Sequence, residues 1–168
     1  MRIVVVSDTH GDFFALQNVL VRNFSADLII HLGDGESELM RFVRLHPDIE
    51  RKVINIKGNC DNDSKSPDFL VIPFMEHRIF ATHGHLYGVN ASLSRIKMLA
   101  KENECDIVLF GHTHVSCQSY EDGLYIMNPG SASCPRDGRA TTFGHIDISP
   151  AGVVMNIAPV PDLLHDMQ

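Results

Sequence analysis

Strand-like apolar runs alternate with amphipathic helical ones through the first 56 residues, and no other feature narrows the fold as much. Arg2–Val6 reads as a buried strand. Asp12 is placed to cap a helix that puts Phe13, Leu16, Leu20 and Phe24 on one face. Leu28–Leu32 is a second strand, Glu36–Leu45 a helix halted by His46-Pro47, and Lys52–Ile56 a third strand. A β-α-β-α-β order requires parallel strands joined by right-handed crossovers.

The remainder is richer in strands. Leu70–Phe74 and Arg78–Ala81 are expected to form a hairpin about Met75-Glu76-His77, followed by a helix from about Asn90 to Asn103 with Leu93, Ile96 and Ala100 on one face. Ile107–Phe110 is a short buried strand, Val115–Tyr120 and Leu124–Met127 flank Glu121-Asp122-Gly123, and further strands lie near Thr141–Ile148 and Val153–Ile157. So many strands in 168 residues should stack as two mixed β-sheets flanked by helices, an α/β fold in α-β-β-α order. Residues 1–168 are expected to make a single domain around one core.

Charge excludes several functions. The net charge is −7 and no block of Lys and Arg occurs, so a groove tracking the phosphates of long nucleic acid is not expected. No run approaches the roughly 18 apolar residues of a membrane span, and the start, MRIVVVSDTHGD, lacks the apolar region of a leader. Cys60, Cys105, Cys117 and Cys134 show no CxxC pairing. Reduced thiols and a cytoplasmic location are the expectation.

The chemistry lies in the turns at the strand ends. Ser7-Asp8-Thr9-His10 comes after the first strand, Gly33-Asp34 after the second and Gly58-Asn59-Cys60-Asp61 after the third; His83 comes after Ile79-Phe80-Ala81, and Gly111-His112-Thr113-His114 after Ile107–Phe110. Parallel strands deliver their C-terminal ends to one edge, where α/β proteins build sites. Two Asp, one Asn and four His therefore converge. Asp8 and His10 are two apart, as are His112 and His114, so each pair would share a side in an extended segment.

Seven N/O donors exceed what one tetrahedral ion takes, and no thiolate pair is present. Mixed imidazole and carboxylate suits borderline divalent ions: Mn²⁺ first, with Fe²⁺, Co²⁺, Ni²⁺ and Zn²⁺ as alternatives. Two ions sharing one Asp would use all seven groups. Two carboxylates leave such a pair with residual positive charge, which binds a phosphate and acidifies a bridging water, and a neutral Asn preserves that excess.

Taken in this order, Asp8-Thr9-His10, Gly33-Asp34, Gly58-Asn59-Cys60-Asp61, Thr82-His83-Gly84-His85 and Gly111-His112-Thr113-His114 resemble the calcineurin-like metallophosphoesterase superfamily. Asn128-Pro129-Gly130-Ser131 extends the resemblance to its small YfcE-type phosphodiesterases, over nearly the whole chain. The resemblance implies one metal on Asp8, His10, Asp34 and His114 and another on Asp34, Asn59, His83 and His112, bridged by Asp34. It implies in-line attack of a metal-bridging hydroxide on phosphorus, with Asp34, Asn59 and His83 as the catalytic set and a small phosphodiester as the partner. A retromer subunit resembling this family is a scaffold, so a non-catalytic interaction module is the rival expectation. A homo-oligomer is compatible with the sequence.

Two departures matter. Cys60 stands where the superfamily commonly has the His that serves as acid or phosphate contact. Gly35-Glu36-Ser37 stands where the protein-phosphatase branch carries Asp-Arg-Gly. Cys60 is expected to be neither a ligand nor a strong acid, with its thiol pKa lowered by two neighbouring cations, while Asp61 fixes the backbone. His85, Cys60, Asn128 and Arg136 are the candidates for contacting substrate, with Arg139 a weaker one. His31 reads as a satisfied core histidine, and Met40, Met75, Met98 and Met127 as core filler. His46, His77, His145 and His165 fall in no motif.

Overall fold

The computed structural model describes residues 1–162. Among these residues, ten strands divide into two five-stranded sheets that share one interior. In the first sheet, β1 (Arg2–Val6), β2 (Leu28–His31) and β3 (Val53–Asn55) run parallel, as the alternation requires. β9 (Thr142–Ser149) pairs antiparallel with β1, and β10 (Gly152–Pro159) antiparallel with β9, giving the order β10-β9-β1-β2-β3. The second sheet has a similar plan. β5 (His77–Thr82), β6 (Ile107–Leu109) and β8 (Leu124–Asn128) are parallel, with β4 (Phe69–Phe74) and β7 (Cys117–Glu121) antiparallel at the edges. Pro73, which has no N–H to donate, sits in the edge strand β4.

Alternation along each strand decides what lies where. Ile3, Val5, Leu28 and Ile30 point inward and meet Ile79, Ala81, Ile107 and Leu109 of the facing sheet. The opposite faces bury against helices. Val4, Val6 and Ile29 pack on α1 (Phe13–Arg22) and α2 (Glu36–Leu45); Phe80 and Val108 pack on α3 (Ser94–Glu102). The α-β-β-α sandwich is therefore the observed architecture. No helix among the described residues is long and apolar enough to cross a membrane.

Differences from the sequence reading have local causes. Asp12 does cap α1, accepting from the Ala15 N–H at 2.9 Å, but the helix closes before Phe24. The helix predicted from Asn90 begins at Ser94, because the N–H groups of Ala91 and Ser92 bond the Gly88 carbonyl in a turn and Ser92 Oγ accepts from Ser94 N–H. Lys52 closes a 3₁₀ segment, Pro47–Lys52, and does not open β3. Met127 is fully buried, but Met40, Met75 and Met98 are exposed, so three of the four methionines do not fill the core. His165 lies outside the described residues. Ile30→Ala, between the sheets, is expected to cost about 2–5 kcal/mol in urea unfolding. Val154→Ala, at an exposed edge, should cost less than about 0.5 kcal/mol.

Candidate metal centre

The C-terminal ends of β1, β2, β3, β5 and β6 meet at one edge of the sandwich, and their loops are stitched together there. The Asp8 N–H donates to the Gly33 carbonyl (3.0 Å), His10 N–H to Asp34 (2.9 Å) and Gly111 N–H to His83 (3.1 Å). Asp8 is buried; its Oδ2 accepts from Ser7 Oγ at 2.6 Å and from the His112 N–H at 3.1 Å. Its Oδ1 is buried and has no hydrogen-bond partner. That oxygen lies 3.2 Å from His114 Nε2 and 3.8 Å from His10 Nε2. Asp34 Oδ1 accepts the Cys60 N–H at 2.7 Å, while Oδ2 stands 3.8 Å from His10 Nε2 and 3.5 Å from His83 Nε2, between the two halves of the cluster. Asn59 Oδ1 is 3.1 Å from His83 Nε2.

The imidazoles are aimed from behind. His83 Nδ1 donates to the Leu32 carbonyl at 2.7 Å and His114 Nδ1 to the Cys134 carbonyl at 2.6 Å, which turns each Nε2 toward the cluster. His112 and His114 do not share a side. His114 joins Asp8 and His10, with the rings of His10 and His114 4.8 Å apart, whereas His112 packs on His83 at 5.2 Å. The extended geometry expected of these pairs gives way to left-handed backbone: φ is 57° at Asp8, 43° at His10, 58° at Asp34, 67° at His112 and 59° at His114.

The charges are coupled. Burial pushes the Asp8 and Asp34 carboxyls up, but hydrogen bonds and the charges of the histidines hold both below the usual carboxylate range. The Asp8 carboxylate beside it raises His114; at His83, burial works the other way, yet Asp34 and Asp8 still raise it. Burial and the charge of His83 lower His85 and His112. A buried carboxylate oxygen without a partner is costly unless a cation meets it. The orphaned Asp8 Oδ1 beside two imidazoles therefore fits a divalent ion. Asp8, His10 and His114 can present donor atoms within 4.8 Å of one another, as can Asp8, Asp34 and His83.

The family comparison agrees with this geometry. The calcineurin-like phosphoesterase superfamily domain matches residues 1–150. The chain belongs to that superfamily. It is 34% identical over 144 residues to the probable metallophosphoesterase YsnB of Bacillus subtilis, covering 85% of this chain and 82% of that protein. It is 28% identical over 176 residues to phosphodiesterase YfcE of Escherichia coli, covering 92% and 91%. A predicted phosphoesterase of Streptococcus pneumoniae superposes with a TM-score of 0.75 at 28% identity, over 94% of this chain and 97% of that one. Zinc-complexed Vps29 of Entamoeba histolytica shares the fold at 20% identity, with a TM-score of 0.71 over 96% and 100%. Divalent metals are what this superfamily uses, and the clustered donors here suit them.

The remaining candidates separate. Asp61 accepts four backbone N–H groups: Oδ2 from Asp34 and Gly58 (both 2.8 Å), Oδ1 from Gly35 (3.0 Å) and Glu36 (3.1 Å). A Cβ on Gly58 would stand 2.1 Å from Asp34 Oδ1, so the loop closes on Asp34 only with glycine there. Cys60 is exposed, with Sγ within 4.8 Å of donor atoms of His10 and Asp34. Without metal ions, burial, a hydrogen bond with Asp34 and the neighbouring carboxylates push its thiol up to about 11.

His85 is half-buried beside His83 and His112, and its Nδ1 is buried without a partner. Asn128 corrects the expectation that it contacts substrate. It is fully buried, its Nδ2 donating to the Gly111 carbonyl and Thr113 Oγ1 (3.0 Å each) and its Oδ1 accepting the Gly130 N–H at 2.8 Å, so it shapes the His112 loop from within. The Arg136 N–H holds the His114 carbonyl at 3.1 Å, and its exposed side chain is near enough to act on His114 by charge; Arg139 pairs with Asp137. His31 is satisfied at Nδ1 by Asn55, 2.9 Å away, but not at Nε2.

Sequence reasoning missed Glu38. It is 6% exposed, accepts the Gly11 N–H at 2.6 Å and Thr9 Oγ1 at 3.0 Å, and bonds Ser37 Oγ, bracing the loop that carries His10. The available signal was an acid four residues before Phe42, on the buried face of α2. Burial raises the Glu38 carboxyl, but these hydrogen bonds outweigh it and hold the pKa below the ordinary value. A depressed folded pKa gives stability that is present above the unfolded value of about 4.3 and lost as pH falls through the folded one. Glu38→Gln should therefore be less stable near neutrality, with the gap from the parent narrowing as pH drops below about 4.3. Urea unfolding at a series of pH values checks this; a gap independent of pH would refute it.

Proposed function

We propose that the protein is a dinuclear metal-dependent phosphodiesterase of the cytoplasm that hydrolyses a small phosphodiester. The observation that carries this reading is the partnerless, buried Asp8 Oδ1 within a set of two carboxylates, one amide and four imidazoles. Asp8, His10, Asp34 and His114 would hold one ion, and Asp34, Asn59, His83 and His112 the other, with Mn²⁺ the first choice among borderline metals. When bound, such ions supply a nucleophilic water at neutral pH and positive charge for the phosphate oxygens. Leu32 and Cys134 keep His83 and His114 in the tautomer that presents Nε2. Asn59 adds a donor without adding negative charge. Arg136 and His85 stand beside the cluster, where they would orient the non-bridging oxygens. Hydrolysis breaks the P–O bond to the leaving alcohol as a water oxygen bonds phosphorus, and the alcohol departs with a proton. A thiol is at best a weak donor toward that oxygen, and a good leaving group needs no proton, so Cys60 is a bystander for such substrates.

The likeness to Vps29 supports one rival, a non-catalytic scaffold on the same fold. Metal analysis with activity separates the two. The purified protein should hold up to two transition ions, and chelation should abolish hydrolysis of nitrophenyl diesters. Asp34→Asn, touching both ions, should lower activity more than the roughly 10–100-fold typical of groups behind the ligands. No bound metal and no hydrolysis with any added ion would leave the scaffold. Diesters should exceed matching monoesters in kcat/KM. Separately, Cys60→Ala should keep both metals and most nitrophenyl diester activity, while Cys60→His should chiefly accelerate alkyl leaving groups. Metal loss in Cys60→Ala would show that the thiol is a ligand.

A further inference from the structure

The candidate centre has two kinds of flank. On the side of the first sheet, clefts of about 270 and 380 Å³ are lined by Glu36, Glu38, Asp61 and Asp63, with no Lys or Arg among their lining residues. On the side of the second sheet, a cleft of about 360 Å³ is lined by Val89, Leu93, Phe110, Thr113 and Val115, with Asn90 and Cys117, and contains no charged residue. Its walls are extensions of the ligand loops themselves. Thr113 lies between His112 and His114, and Val89 packs against Gly84, the residue between His83 and His85. The residues just beyond those histidines are unusually apolar for a surface: Leu86 is 50% exposed and Val115 39%.

We propose that this cleft is the subsite for an uncharged apolar or aromatic ester group of the substrate; the inference rests on the phosphodiesterase reading. A phosphodiester places its one negative charge at the metal cluster, and each of its organic groups must then lie on one flank or the other. The acidic flank offers an apolar ring no partner and keeps its own carboxylates hydrated. The uncharged flank removes ring and wall from water together, and apolar area removed from water is the dominant favourable term in such contacts. Thr113 Oγ1 is already engaged by Asn128, which leaves Asn90 as the polar side chain of an otherwise largely apolar lining that selects for apolar surface.

The probes are two non-hydrolysable anions, phenyl methylphosphonate and ethyl methylphosphonate, used with the metal-loaded full chain. Both should inhibit bis(4-nitrophenyl) phosphate hydrolysis competitively, the phenyl compound at least about tenfold more tightly, a difference in line with the extra apolar area. In amide NMR spectra the phenyl compound alone should shift Leu93 and Val115. Leu93→Asp and Val115→Asp should each bring the ratio of inhibition constants toward one; Val115 is exposed, so its variant is readable even if Leu93→Asp does not fold. Equal inhibition by the two compounds, or a difference that persists in both variants, overturns the subsite. So does self-association of the parent that Val115→Asp abolishes, which would give the cleft to a second copy. If no phosphoester is hydrolysed, the phosphodiesterase reading fails, and the Leu93 and Val115 shifts still report separately on whether the cleft takes the ring.

Discussion

Two carboxylates, Asp8 and Asp34, lie almost without solvent where the two sheets meet, and the surrounding structure is organised by the need to keep them there in ionised form. Burying a carboxylate is costly unless hydrogen bonds and opposite charge offset the lost hydration. The chain supplies both from every neighbouring element. Ser7, the His112 N–H and the Cys60 N–H donate to the carboxylate oxygens, and imidazoles from three loops, one of them Asp8's own, stand within 4 Å. Asp8 Oδ1, fully buried, receives no hydrogen bond. The parallel strands explain how so short a chain achieves this: one short polar turn after each strand delivers its donor, and no long loop has to be ordered.

Holding these turns requires a second set of residues that are not among the metal donors. Asp61 pins four N–H groups of the Asp34 and Asn59 turns, Glu38 braces the His10 turn, and Asn128 with Ser131 supports the turns of His112 and Asp8. They resist a definite force. Left-handed backbone at a non-glycine residue costs on the order of 1 kcal/mol, and five donor residues adopt it. Asp and His tolerate that region better than most residues, which helps explain why these types can serve both as donors and as turn-formers.

The elements whose burial repeats were visible along the chain were legible: the parallel β1-β2-β3 core, α2 to the residue, and the two-sheet arrangement. Helix α3 was begun four residues too early because Asn90–Leu93 looks helical in composition, while the Gly88 turn that delays it is a backbone matter. The donor set at the strand ends was also legible, since each member comes directly after a recognisable strand. Its internal arrangement was implied by the family resemblance, which put His114 with Asp8 and His10 and His112 with His83, but not by residue spacing. Period-two spacing put His112 and His114 on one side, whereas left-handed φ at both separates them into different halves of the cluster. Asn128 was misjudged for a related reason: a polar residue at a strand end can face the cleft or the backbone beneath it, and only the partners decide.

The same backbone bears on whether the centre works or is a relic of the fold. Strained conformations persist where the surroundings over-determine them, and they concentrate at functional sites. Among the described residues, five of the eight non-glycine residues with positive φ are Asp8, His10, Asp34, His112 and His114. A scaffold that used only the outer surface of this fold would gain stability by relaxing those turns, for example with glycine in place of a histidine, and by filling the position of Asp8 with an uncharged side chain. This chain does neither. It keeps the strain, a partnerless buried oxygen and the carboxylates that brace them. That combination favours selection for what the donors hold over selection for the sandwich alone.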